Sequence, residues 1–403
     1  MTRARRGALT LLAALLSLTV LAACGGAPTA ESPEEAADTE GTEANTQEVA
    51  SETAQSGETP TAEETQAAAE TVDLGCEDTF PAVYAELDGL EGDERRSRLL
   101  ELAKEEGELM VYTSNNVVMD LGPVFQEEFG IPTEVYRAPS DQVSQRVHEE
   151  ADASSILSDI IDNIAPWQVV ALRSGLLAEY EGPVRDEVPE IARGRGFIGN
   201  QYLPHVVAWN TELIPAEEVP TSYEDLADPK WKGRVTLEPR HSAMYMALFQ
   251  HFVEEGRSED EVRELFRSIG ENAVLMDGNT QRVNLMVTGE YPLGVGIFVS
   301  GVDDAAATGA PVAWEPAVEP VYVETFGSGL TMCAAHPAAA LLWYEWVATD
   351  GQEPMAELGR VTTPEFTEGG RLAGLETLTI DYATFVDEQQ QWESEWHDLI
   401  GYQ

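Results

Sequence analysis

The chain has 403 residues, with 73 Asp and Glu against 23 Lys and Arg and a formal net charge of −50 at pH 7. That balance excludes a nucleic-acid binder, which needs a basic footprint, and argues against rest on an anionic membrane surface. An acidic surface is by itself a solubility feature and names no ligand.

In chain order, Arg3, Arg5 and Arg6 precede an apolar run from Ala8 to Ala23, which ends in Leu21-Ala22-Ala23-Cys24. A basic start, a short apolar core and small residues at the cut form an export signal. The apolar part is at the short end for a bilayer-spanning helix. Cysteine at the cut resembles the lipobox of bacterial lipoproteins. The resemblance implies that residues 1–23 are removed and that Cys24 carries lipid, with two or three acyl chains anchoring stably where one would not. An ordinary secretory signal is the alternative. Residues 24–73 hold thirteen acids from Glu31 to Asp73, no Lys or Arg, and two Val as the only large aliphatics. Such a segment cannot bury enough apolar surface to offset its ordering entropy. It predicts a disordered, self-repelling tether, with a shed propeptide as the alternative.

The rest, about 330 residues with sixty acids and twenty Lys plus Arg, suits two lobes. Cys76 and Cys333 are its cysteines, and outside the cell they could form a disulfide. Arg95 to Glu106 predicts a helix stopped by Gly107. Leu109 to Tyr112 predicts a buried strand, Val118 to Phe129 a helix and Thr133 to Tyr136 a strand. Ser140 is expected to cap the next helix. Strand returns at Ile156 to Ile161 and helix at Pro166 to Ser174. Leu203 to Trp209 is an apolar run leading to a second block. There Arg234 to Leu237 reads as strand and Ser242 to Glu254 as helix. Ser258-Glu259-Asp260-Glu261 is a capping box. Val274 to Met276 is strand, Thr280 to Thr288 helix, and Pro292 to Ile297 strand. Gly329 to Cys333 precedes a long helix from Pro337, a residue suited to a first turn. The alternation predicts an α/β fold with parallel strands and crossover helices.

Five stretches then carry a family resemblance: GELMVYTSNN (107–116), VVAWNTELI (206–214), SYEDLADPKWKGRVTL (222–237), GEYPLGVGI (289–297) and AAHPAAALLWYEWVATDGQ (334–352). Their order resembles the extracellular solute-binding proteins of ABC importers, closest to the ferric-iron-type branch. The resemblance implies a two-lobed type II periplasmic-binding-protein fold with a ligand cleft between the lobes. It divides the chain into a first part of lobe 1 at 74–208, lobe 2 at 209–320, a return to lobe 1 at 321–375, and a C-terminal segment at 376–403 packing on lobe 2. The implied protein is a monomer held by lipid on the outer face of the cytoplasmic membrane. It captures a small solute, performs no chemistry on it and hands it to an ABC permease.

In open α/β sheets, ligands sit beyond the carboxyl ends of strands, where helix N-termini offer unpaired N–H groups. The candidates in lobe 1 are therefore Tyr112, Thr113, Ser114 and Asn115 after the first strand, Ser140 after the second, and Asn163 and Trp167 after the third. In lobe 2 they are Arg240, His241, Ser242 and Tyr245, then Asn279, Gln281 and Arg282. The cationic, hydroxyl-bearing start at 240–242 suits an oxyanion, which makes a small oxyanion-bearing solute the leading expectation. Ferric-iron binders of the branch use adjacent tyrosines after the strand matching Pro292 to Ile297, with a His and a Glu from the other lobe. This chain has Ile297-Phe298-Val299 there, which weakens an Fe3+ reading and leaves any metal undetermined. Glu238, Asp277 and Glu324 keep a cation such as a polyamine or thiamine open. No resident cofactor is expected. No GxSxG, HExxH or Walker run supports an enzyme. The GxGxxG at 194–199 lacks a preceding strand and reads as a loop. A secreted hydrolase and a surface scaffold are the remaining alternatives.

Overall fold

The chain divides into two units, Met1–Glu64 and Thr65–Gln403. The computed structural model describes Leu74 and residues 77–402, all in the second unit. The export signal, Cys24, the tether and Cys76 lie outside the described residues. Cys333 is disulfide-bonded.

Ten strands form one mixed sheet: β1 (Leu109–Thr113), β2 (Thr133–Arg137), β3 (Ile160–Ile164), β4 (Ile198–Asn210), β5 (Val235–Leu237), β6 (Ala273–Leu275), β7 (Leu293–Phe298), β8 (Val312–Ala313), β9 (Val321–Leu330) and β10 (Thr377–Leu378). The main path runs β2-β1-β3-β9-β4-β7-β5-β6. Parallel pairs β1/β2 and β1/β3 build one lobe, and parallel pairs β5/β6 and β5/β7 build the other. The long strands β4 and β9 run antiparallel to each other and to the inner strands, β9 against β3 and β4 against β7. They carry the chain from one lobe to the other. All thirteen residues of β4 are buried, as expected of a strand covered on both faces.

Each lobe has its own core. In the first, Phe125 packs edge-on against Trp343 and Trp346. In the second, Trp231, Phe266 and Trp396 are almost wholly buried, and Tyr245 stacks on Trp396 at 5.3 Å. The C-terminal helix Tyr382–Ile400 supplies Trp396 to that second core. It also meets the first lobe, where the Arg173 guanidinium donates to Asp387 at 2.5 and 2.9 Å and to the Ala383 carbonyl.

Local signals explain most boundaries. Helix Gly92–Glu106 ends on Gly107 at φ 94°, and helix Val118–Phe129 ends on Gly130 at φ 74°, both left-handed caps suited to glycine. The Ser258–Glu261 box closes in both directions at the start of helix Glu259–Asn272. Two expectations need correction. The strand expected at 156–161 forms at 160–164, because Ser154 turns at φ 50° and Leu157 stays 54% exposed. Ser140 is the first residue of helix Ser140–Asp152, with Pro139 at the cap and no side-chain cap bond. Leu203 to Trp209 belongs to β4, and Gly329 opens the last turn of β9, a strand that begins eight residues earlier.

Candidate functional site

The tips of β5, β6 and β7 meet the crossing strands at one place. In the antiparallel register His205 faces Tyr322 on β9 and Phe298 on β7, while Leu203 faces Glu324. Side chains alternate along a strand, so His205, Tyr322, Glu324 and Phe298 rise from the same face. Glu238 follows directly on β5, and helix Ser242–Glu254 starts directly after His241. The turn after β6 brings Gly278 and Asn279 alongside. Together these residues, with Ile164 of the first lobe and Arg240, line a cavity of about 250 Å3. A second hollow of about 120 Å3 adjoins it, walled by Trp167 and Pro166 from one lobe, Arg240 and Ser242 from the other, and Phe385, Gln389 and Glu393 of the C-terminal helix. Broader grooves of about 820, 1130 and 830 Å3 lie elsewhere. None of them is lined by the strand tips of the second lobe.

The floor of the 250 Å3 cavity is aromatic and polar at once. The His205 ring centre lies 4.6 Å from His241, 4.8 Å from Phe298 and 5.0 Å from Tyr322. Buried polar atoms almost always find a partner. Here both ring nitrogens of His205, Nδ1 of His241 and the Tyr322 hydroxyl have none. Glu324 Oε2 stands 3.8 Å from His205 Nε2, too far for a hydrogen bond. Glu238 accepts from the Gly278 N–H at 2.7 Å and from Arg240 Nε at 3.3 Å.

Burial sets the protonation of this pocket. It holds the His241 imidazole well below its ordinary pKa, and His205, Arg282 and Arg240 push the same way. The ring is therefore neutral at pH 7. Burial raises the Glu238 carboxyl, opposed by the Gly278 N–H and by Arg282 and Arg240. It raises the Tyr322 phenol well above its usual value, with Tyr382 and Glu324 adding to the effect.

The residues expected at strand tips separate into three groups. Arg240, His241, Ser242, Asn279 and Trp167 line the two hollows, although Asn279 Oδ1 accepts from the Phe298 N–H at 2.8 Å. Ser114, Asn115 and Asn163 are buried and bonded within the first lobe. Ser114 donates to Asn163 at 2.8 Å, Asn115 donates to Gln201 at 2.6 Å, and Asn163 donates to the Ser140 carbonyl at 3.0 Å. Thr113 donates to Asp162 at 2.8 Å. The remaining residues sit away from the cavity. Tyr112 donates to Glu150 inside the first lobe, and Tyr245 donates to Glu395 inside the second. Gln281 is exposed. Arg282 is wholly buried, and its guanidinium donates to the carbonyls of Thr236, Val295 and Gly296. It is neither a surface ion pair nor a reader of anions. His205 was not singled out by sequence, because position 205 lies inside an apolar run with no loop after it. The register of β4 against β9 is what brings it to Tyr322 and Glu324.

Comparison with known proteins follows from this geometry. Residues 186–305 match the bacterial extracellular solute-binding protein family. Iron uptake protein A1 of Synechocystis is 27% identical over 155 residues, 37% of this chain and 42% of that protein. An uncharacterized protein of Haemophilus influenzae is 26% identical over 62% of this chain and 76% of its own. The chain thus spans less than half of the first relative and about three quarters of the second. Among solved structures, iron-bound HitA from Pseudomonas aeruginosa superposes with a TM-score of 0.60 at 18% identity, covering 72% of this chain and 99% of that one. The periplasmic binding protein AfuA from Actinobacillus pleuropneumoniae, with exogenous fructose-6-phosphate bound, gives 0.59 at 21% identity over 74% and 99%. At these identities the structural likeness speaks to fold. The matches are to binding and uptake proteins. The chain's fold is that of the two-lobed type II periplasmic binding proteins, and its segment 186–305 is similar to the bacterial extracellular solute-binding proteins.

Proposed function

We propose that this protein is the extracellular solute-capturing component of an ABC importer. It is tied to the outer face of the cytoplasmic membrane through lipid on Cys24, acts as a monomer, and delivers a small solute to the permease. The observation that carries this reading is the cavity of about 250 Å3 between the crossing strands and the strand tips of the second lobe, where buried nitrogens await a partner. Its size is below the usual range for drug-sized ligands, roughly 300–1,000 Å3, and suits a small solute. Two lobes on extended crossing strands can close over such a solute, so binding shifts a population toward the closed form.

The charge of the cavity supports a cationic solute over the oxyanion expected from the sequence. Glu238 and Glu324 face it, and Arg240 is its one cationic side chain among the lining residues. Arg240 is already paired with Glu238 at 3.3 Å and Asp277 at 3.7 Å, with its side chain 72% exposed.

Native mass spectrometry of the freshly purified full chain tests the reading. A co-purified mass that leaves on mild heating, and that raises the melting temperature when added back, is the expected result. Turnover of the added solute would overturn it. Cys24→Ser is expected to release the protein from the membrane fraction or leave it unprocessed; unchanged fractionation and mass would remove the anchor.

A further inference from the structure

We infer that a groove behind the crossing strands, lined by Arg193, Arg195, Thr377 and Thr379, is a binding site for a small organic phosphate. It is separate from the solute cavity, and the inference does not rest on the solute-capture reading.

The groove has a volume of about 820 Å3, within the roughly 300–1,000 Å3 usual for small-molecule sites. It lies on the other face of β9 from the 250 Å3 cavity. Glu324 lines that cavity and Thr325 lines the groove, and successive side chains of a strand point to opposite faces. Val169 and Leu172 of helix Ala165–Arg173 form part of its wall. Thr377 of β10, then Thr379 and Ile380 ahead of the C-terminal helix, form another part.

The GxGxxG at 194–199 supplies the rest, and the fold gives it a use. Arg193 and Ile198 pair as an antiparallel bridge, so the loop between them folds back on itself. Gly196 turns at φ 77°, a region that favours glycine, and a Cβ at Gly194 would run into the Phe197 ring. The two glycines let the loop close over Phe197 and carry Arg193 and Arg195 to the groove.

From residue 74 onward sixty acids face twenty Lys plus Arg. Three of those twenty, Arg173, Arg193 and Arg195, line this one groove, against the two carboxylates of Glu190 and Asp381. Arg173 is committed to Asp387 and the Ala383 carbonyl, and Asp381 accepts from the Thr384 N–H. Arg193 gives Nε to the Val188 carbonyl and Nη2 to the Asp186 carbonyl, which leaves Nη1. The Arg195 guanidinium and the hydroxyls of Thr377 and Thr379 have no partner among the described residues. With acids in threefold excess, two guanidiniums free of carboxylates in one groove locally reverse the field of the chain. Guanidinium forks match the geometry of phosphate oxygens, and hydroxyls add further donors. Leu172 and Phe197 offer apolar surface that a bare phosphate would leave unused. The ligand is therefore an ester, with its phosphate toward the arginines and its carbon body on those two side chains.

The test titrates phenyl phosphate into the purified full chain, in detergent and a phosphate-free buffer, by calorimetry. One saturable equivalent is expected. Arg195→Gln removes a side chain with no internal bond, so the fold is kept, and it is expected to weaken binding about tenfold or more. Arg137→Gln removes an equally exposed charge at the end of β2 and is expected to leave binding unchanged, as is Glu324→Gln in the 250 Å3 cavity. Absence of saturable binding, or equal affinity in Arg195→Gln, overturns the inference. A loss in Glu324→Gln as large as in Arg195→Gln would put the anion in the solute cavity and overturn it as well. Inorganic phosphate binding as tightly as phenyl phosphate, or a hexaglutamate peptide binding more tightly, would overturn the ligand class.

Discussion

Arg282 spends its guanidinium on three backbone carbonyls beneath the cavity, and burial lowers its pKa to about 10, partly offset by Glu238. It remains charged at pH 7 and ties the ends of β5 and β7 together. Sequence placed it after a strand, where ligand-binding residues gather, but could not say which way the first turn of helix Asn279–Thr288 points. The same ambiguity applied to Tyr245. Replacing Arg282 by Met leaves those carbonyls dry and unpaired, at about 1–3 kcal/mol for each group left unsatisfied. A loss of about 3 kcal/mol in urea unfolding is expected, and a loss under 1 kcal/mol would mean that water replaces the guanidinium. Asp162 gives a pH signature. Burial raises its carboxyl to about 6, although Asn200, Thr113 and Ser328 all donate to it. A folded pKa above the unfolded value of about 3.9 means that this group opposes folding when ionised. Its contribution is fully favourable below about pH 4 and is lost as pH rises through about 6. The difference amounts to on the order of 3 kcal/mol. Asp162→Asn is expected to remove that component, so that the gap in unfolding free energy between variant and wild type narrows or reverses from pH 4 to pH 7. A gap constant across that range would show that Asp162 titrates normally.

Elements were legible where one physical signal dominated. Helix Val118–Phe129 follows from Leu121, Phe125 and Phe129 on one buried face, and helix Ser242–Glu254 from an apolar run opened by a tight turn. The crossing strands were less legible. β9 reads Val-Tyr-Val-Glu-Thr-Phe-Gly-Ser-Gly-Leu and is buried along nearly its whole length, so neither clean alternation nor an unbroken apolar run marks it. The cavity was missed for the same reason, because His205 and Tyr322 become neighbours only through pairing more than a hundred residues apart. Packing between elements can be probed at Gly270, on helix Glu259–Asn272. A Cβ there would meet Ile400 Cα at 2.8 Å and the Leu399 carbonyl at 3.2 Å. Alanine favours the helix by about 1 kcal/mol over glycine, but forcing backbone apart costs about 1–3 kcal/mol. Because the obstacle is main chain of the C-terminal helix, the second effect wins. Gly270→Ala is expected to lower stability by about 1–2 kcal/mol, and a gain would show that the two helices are loosely seated.

At the scale of the whole molecule, charge and lobe structure act together. The C-terminal helix touches both lobes, through Arg173–Asp387 on one side and through Glu395 on the other, where Tyr245 and Arg263 both donate to it. Both halves therefore share this one helix. Around that frame lie sixty acids and twenty Lys plus Arg from residue 74 onward, so repulsion between like charges exceeds attraction across ion pairs. Most of those pairs are exposed on at least one side, as with Arg96–Asp350 and Arg267–Glu264. Exposed pairs are worth about 0–1 kcal/mol each and are screened by salt. Screening thus removes small attractions and a larger repulsion, since the Debye length falls from about 30 Å at 0.01 M to about 3 Å at 1 M. Raising sodium chloride from 10 mM to 500 mM is expected to raise the melting temperature of the unliganded protein by several degrees, about 2–4 °C for each kcal/mol gained in a chain of this size. For a chain so acidic, a falling melting temperature over that range would show that local ion pairs outweigh the net field.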